Sequence, residues 1–193
     1  MIATRADYEA YLRDDLTAAG MSRWTFVQRF RRPEVHHVRL LRRVEYLLAQ
    51  PGKVARARRS WARWQLLRSS ARLGLSIPPN VFGPGLGIAH HGSIVVNSRA
   101  RVGAWCRINS ATNIGLSPSG VPTIGDYCYI APGAVLYGGI TVGDRVVVGA
   151  NAVVGRDVPD GVTVAGAPAR VVSQNDSSAM MPDFIPMPRP THP

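Results

Sequence analysis

Two adjacent histidines, His90 and His91, sit inside an otherwise apolar run, IAHHGSIVVN, at residues 88–97. Imidazole is the side chain whose ordinary pKa lies nearest neutrality, so this pair offers proton transfer. A neutral ring takes the proton of a hydroxyl as its oxygen attacks an electrophile, then returns it to the leaving group. The bland alternative is a core histidine with satisfied nitrogens. A tetrahedral metal centre fits poorly, because the repeat region around the pair supplies no third histidine. The run GPGLG at 83–87 is not a dinucleotide fingerprint, since no helical pattern follows it. Cys106 and Cys128 are too few for a disulfide framework and read as small, reduced, buried fillers.

The elements that must position the histidines change character along the chain. From residue 81 onward, branched aliphatics recur every six residues: Val102, Ile108 and Ile114, then Ile124, Ile130, Leu136, Val142, Val148 and Val154. Neither a helix nor an alternating strand has that period. Short strands joined by tight corners do, with three hexads forming one triangular coil and the aliphatics stacked in a single column. Phe82, Ile88 and Ile94 form an earlier phase of the same spacing. Eight residues separate Ile94 from Val102, placing two extra residues just after the histidines. Ten separate Ile114 from Ile124, so LSPSGVPT holds an external loop.

Upstream, residues 4–18, 34–49 and 53–73 have helical spacing. Val35, Val38, Leu41, Val44 and Leu48 mark one face with arginines opposite, Pro33 suits a first turn, and Val54, Ala57, Trp61 and Trp64 read as a packing stripe, with a membrane anchor as the alternative for the aromatics. Charge divides the chain at the same place. Of the net +11, residues 1–73 hold 16 Lys and Arg against 6 Asp and Glu, and the remainder 7 against 6. A solvated helical surface is the plain reading; contact with an anionic membrane is the alternative, and no motif points to nucleic acid. The opening residues lack a signal-peptide pattern and no apolar run is long enough to span a bilayer, so a cytoplasmic protein is expected. Five prolines in the last 20 residues predict an extended or disordered tail, with Phe184 and Ile185 as the residues able to dock.

The hexad coils, the segment FGPGLGIAHHGSIVVN at 82–97, the run VPTIGDYCYIAPGAVLYGGITVGDRVVVGANAVVGRDVP at 121–159 and the terminal AGAPAR at 165–170 together resemble the serine acetyltransferase family. The likeness is strongest to relatives in polysaccharide and specialised metabolism. It implies a mainly β fold with α: a left-handed parallel β-helix over 78–172, a basic helical region over 1–77 and a tail over 173–193. It also implies acetyl transfer from acetyl-CoA to a hydroxyl with no metal, in a homotrimer, or a hexamer built through the helices. His90 takes the general-base position, and His91 and Asn97 become acceptor candidates. Gly115, Ala131, Pro132, Ala150, Gly166 and Arg170 fall at acetyl-CoA positions, with Arg170 facing phosphate. Departures from the family are informative. Leu75 or Ser76 stands where relatives carry the aspartate that orients the histidine. Ala89, Gly120 and Val121 replace the charged groups that hold an amino-acid acceptor. A desolvated zwitterion needs such partners, so a sugar or specialised-metabolite hydroxyl is the expected acceptor, with serine as the second reading and a non-catalytic trimeric scaffold as the third.

Overall fold

The computed structural model describes residues 1–187. Four helices come first: α1 (Arg5–Ala18), α2 (Gln28–Arg31), α3 (Pro33–Ala49) and α4 (Lys53–Leu73). Thr4 and Asp7 form a capping box on α1, and Pro33 occupies the first turn of α3, where its missing N–H costs nothing. Gly74, in the left-handed conformation at φ 66°, ends α4 and turns the chain into the first strand, Leu75–Ser76.

Beyond it the chain winds into a parallel β-solenoid with three faces, consistent with the left-handed β-helix that the resemblance implies. One face stacks Leu75–Ser76, Ile94–Val96, Asn113–Gly115, Val135–Tyr137 and Val153–Val154. A second stacks Gly87–Ile88, Arg107–Ile108, Tyr129–Ile130, Val147–Val148 and Thr163–Gly166, and closes with the antiparallel Ala169–Ser173. Arg101–Val102, Thr123–Ile124 and Thr141–Val142 make the third. All nine hexad aliphatics from Val102 to Val154 are buried in one column, accompanied by Cys106 and Cys128. Burial holds both thiols protonated, pushing Cys128 up to about 12. The external loop folds back on the next coil. Ser117 and Gly120 exchange backbone hydrogen bonds, and a Cβ at Gly139 would lie 2.3 Å from the Ser119 carbonyl oxygen, so only glycine admits this approach.

Three features differ from expectation, and the tail docks through Ile185, one of the two residues expected to be able to. Val96, not Ile94, stands above Ile114. The two extra residues therefore fall between Ile88 and Val96, in the corner that carries the histidines, and not after Ile94. Arg42 does not share the solvent face of α3 with the other arginines; it is fully buried. The Val54, Ala57, Trp61 and Trp64 stripe is exposed, because α4 packs on α3 through Ala62, Leu66 and Leu73. The tail over 177–187 is ordered: Ser177–Met180 forms a short 3-10 turn, and Met181 and Ile185 bury against Ala18 beside Trp105 and Tyr127. The expected tail beyond Met187 lies outside the described residues.

Candidate functional site

His90 and His91 occupy the corner between the strands Gly87–Ile88 and Ile94–Val96, and both are exposed. The register explains the form of this corner. Ile88 pairs with Ile108 and Val95 with Asn113, so seven steps of chain in the histidine coil match five below. His90 and His91 are the extra length: the Ala111 amide donates to the Gly92 carbonyl as that of Asn151 does to Pro132, and Ser93 at φ 49° repeats the left-handed corner of Ala111 and Asn151.

The helical region holds this corner from two sides. On the upstream side, the Arg42 guanidinium grips Asp15 bidentately (2.8 and 3.1 Å) and donates to Glu45 (3.0 Å) and to the carbonyls of Phe82 (2.9 Å) and Gly83 (2.6 Å). All five donors are used. Asp15 also accepts from the Leu86 amide, and Glu45 from that of Asn80. The segment 80–86, which leads directly into the histidine strand, is thus pinned by buried charge. Burial alone would lower the Arg42 pKa, but the two carboxylates outweigh it and hold the guanidinium charged. Downstream, the Ile94 amide donates to the Gly74 carbonyl at the end of α4, and Ala111 in the coil below donates to Gly92.

Continuing the pairing Ile108, Ile130, Val148, Val164 by two residues places Ser110, Pro132, Ala150 and Gly166 in one line down this edge; Gly92 stands over Ser110, and His90 and His91 lie in the extra length at the head of that line. Successive coils are about 4.8 Å apart. Below the histidine the side chains are small, and Pro132, Ala150 and Gly166 are exposed, which leaves backbone open to a ligand lying along the edge. Ala131 is buried one step inward on the same corner. Arg170 pairs across the hairpin with Ala165 and lines, with Arg156, a cavity of about 340 Å³ at the end of the solenoid. Two residues stand apart. Asn97 and Gly115 lie at the next corner, separated from His90 by a full face, and the Asn97 Oδ1 accepts from the Arg99 amide at 2.9 Å, a turn-forming contact. Of the two places aligned with the family's orienting aspartate, Leu75 points into the core and Ser76 outward. Among the described residues, no group of three or more His, Cys, Asp or Glu side chains is placed to hold a metal ion.

Sequence reasoning missed the Arg42 cluster. Its signal was spacing: Arg42 follows Val38, and Glu45 follows Leu41, by four residues on the apolar face of α3.

Residues 122–156 match the bacterial transferase hexapeptide family of six repeats. The serine acetyltransferase of Synechococcus elongatus is 34% identical over 146 residues, covering 67% of this chain and 60% of that protein. Soybean serine acetyltransferase aligns with a TM-score of 0.71 at 26% identity, over 86% of this chain and 69% of that one. A serine acetyltransferase in complex with CoA aligns with a TM-score of 0.66 at 25% identity, over 87% and 71%. The chain thus spans about three fifths of the Synechococcus protein's length. Repeat, solenoid and likeness agree: the chain carries the bacterial transferase hexapeptide repeat and is similar to the serine acetyltransferases.

Proposed function

We propose that the chain is an acetyl-CoA-dependent O-acetyltransferase with His90 as general base. The observation that carries this reading is the exposed imidazole of His90 in the enlarged corner that heads the line of Ser110, Pro132, Ala150 and Gly166, a strip of small residues along one edge. In the reaction, neutral His90 takes the proton of the acceptor hydroxyl while its oxygen attacks the thioester carbonyl carbon. The carbon–sulfur bond then breaks, and the imidazolium returns the proton to the departing thiolate, giving an ester and free CoA. Backbone N–H groups of the corner are the donors available to the developing oxyanion. Acetyl-CoA lies along the corner through Ala131, Pro132, Ala150 and Gly166, with Arg170 taking a phosphate. Because His90 is exposed in the single chain, the groove is completed by a neighbouring copy in a homotrimer.

Two acceptor readings each have a specific support. The relatives and solved structures favour the hydroxyl of serine. Ala89, Gly120 and Val121, which give a zwitterion no charged partner, favour a sugar or other small-molecule hydroxyl. The test is thiol release from acetyl-CoA with serine, homoserine, amino sugars, nucleotide sugars and polyols, products being identified by mass. His90→Ala should lower kcat by about 10²-fold or more with CoA binding retained. Unchanged turnover in that variant removes the base assignment, and the productive acceptor decides between the two readings.

A further inference from the structure

The helical region presents a surface that neither the solenoid nor the histidine corner uses. Helix α4 carries seven Lys and Arg and no acid, and among the described residues none of the seven is paired with a carboxylate. Large apolar side chains stand among these cations. Trp61 is 54% exposed and stacks on Trp64 with ring centres 4.7 Å apart, and Leu67 is 67% exposed. From α2 and the segment before it, Phe26 and Phe30 add rings that are 70% and 67% exposed, with Arg29 lying over both. Between α2, α3 and α4 runs a groove of about 480 Å³ with Arg29, Arg68 and Arg72 beside Trp61 and Trp64. Gln65 also lines it, and its Oε1 is buried without a donor.

We propose that this α2–α4 surface seats the protein on an anionic phospholipid bilayer. The exposed aromatic and aliphatic side chains enter the headgroup boundary, the surrounding arginines meet the negative surface, and the groove takes one lipid headgroup. Guanidinium groups match phosphate in both charge and fork geometry, and a headgroup hydroxyl supplies the donor that Gln65 lacks. Charge complementarity selects this occupant. A second copy of the same surface would bring two sets of unpaired cations together. A nucleic acid would satisfy the arginines but leave Phe26, Phe30 and Leu67 in water. The seating is peripheral, since no helix among the described residues is long and apolar enough to cross a membrane.

Sedimentation of the full chain with vesicles tests the proposal, using equal phosphatidylglycerol and phosphatidylcholine against phosphatidylcholine alone, at low and high salt. We expect at least tenfold preference for the anionic vesicles, release by salt, and quenching of tryptophan emission by lipids brominated near the headgroup. Trp61→Ser with Trp64→Ser, and separately Arg59→Gln with Arg63→Gln, should each weaken binding about tenfold with the far-ultraviolet dichroism unchanged. The quenching reports on the wild-type chain, so it stands even where a variant fails to fold. Equal or absent binding to the two vesicle types overturns the proposal. So does binding to duplex DNA that anionic vesicles fail to compete away, or loss of self-association in the tryptophan variant, which would assign the surface to a second copy.

Discussion

Buried polar groups divide the molecule into two regions. In the helices they are Asp15, His37, Arg42 and Glu45, all titratable or charged, whereas among the described residues of the solenoid they are Asn109 and Thr112, both neutral, with Ser177 added by the docked tail. The solenoid repeats one solution: an aliphatic column inside, backbone ladders between coils, and Asp or Asn at the corners. Asp126, Asp144 and Asp160 each accept the amide of the coil before, at 2.6 to 2.9 Å. The helical region has no repeat to lean on and fastens itself to the first coil through buried charge. The lesson is that the two regions should respond differently to the same insult, with the coils indifferent to charge and the helices dependent on it.

Removing Arg42 is the strongest way to break that contrast. Arg42→Ala strands the carboxylates of Asp15 and Glu45 in the interior and frees segment 80–86, and one-sided loss of such a cluster costs about 3–5 kcal/mol. Urea unfolding followed by far-ultraviolet dichroism should show the helical signal lost early, ahead of the solenoid. A midpoint within about 1 kcal/mol of wild type would mean that the cluster is dispensable.

Acid sharpens the same comparison. His37 is packed between α3 and α4 with Nδ1 3.1 Å from the Ser69 hydroxyl, and burial, reinforced by neighbouring His36, pushes it down to about 4. Its ordinary value is 6.5. The unfolded chain therefore binds a proton that the folded chain refuses, and stability falls as pH drops from 6.5 towards 4. The loss is on the order of 3 kcal/mol by the low end of that window. Unfolding midpoints at neutral pH and near pH 4.5 should differ accordingly, and His37→Asn, which keeps a donor near Ser69 without the titration, should flatten the difference. A pH dependence that survives in His37→Asn assigns the effect elsewhere.

How far the sequence revealed these regions follows from the range of the interactions. The hexad column was legible because each aliphatic announces its place by local spacing, and α1, α3 and α4 were legible from their periods and caps. The histidine corner was half legible. Ile94 and Val96 are both aliphatic, so spacing could not decide which stands over Ile114; pairing with Asn113 and Ile114 decides it, and moves the extra length into the corner itself. Arg42 was hidden because three of its four partners, Asp15, Phe82 and Gly83, lie 27 to 41 residues away, and only folding brings them to one guanidinium. The tryptophans were misread for the opposite reason: small Ala62 lets α3 approach the other side of α4, leaving Trp61 and Trp64 in solvent. For the tail, composition left an extended or disordered chain with Phe184 and Ile185 able to dock; Ile185, with Met181, has its apolar seat on Ala18.

Asn97 carries the smallest and most discriminating expectation. The resemblance offers it as an acceptor ligand, yet its Oδ1 already accepts from the Arg99 amide and a full face of the solenoid separates it from His90. If corners of the solenoid use their polar side chains to make turns, Asn97→Ala should cost about 1 kcal/mol of stability and leave the acceptor KM within a factor of about two. Asn97→Asp, which keeps the accepting oxygen, should restore the stability. A tenfold rise in acceptor KM with unchanged stability would reverse the assignment: a neighbouring copy would then have to bring Asn97 to a His90 other than its own, making this corner part of a shared groove instead of a turn.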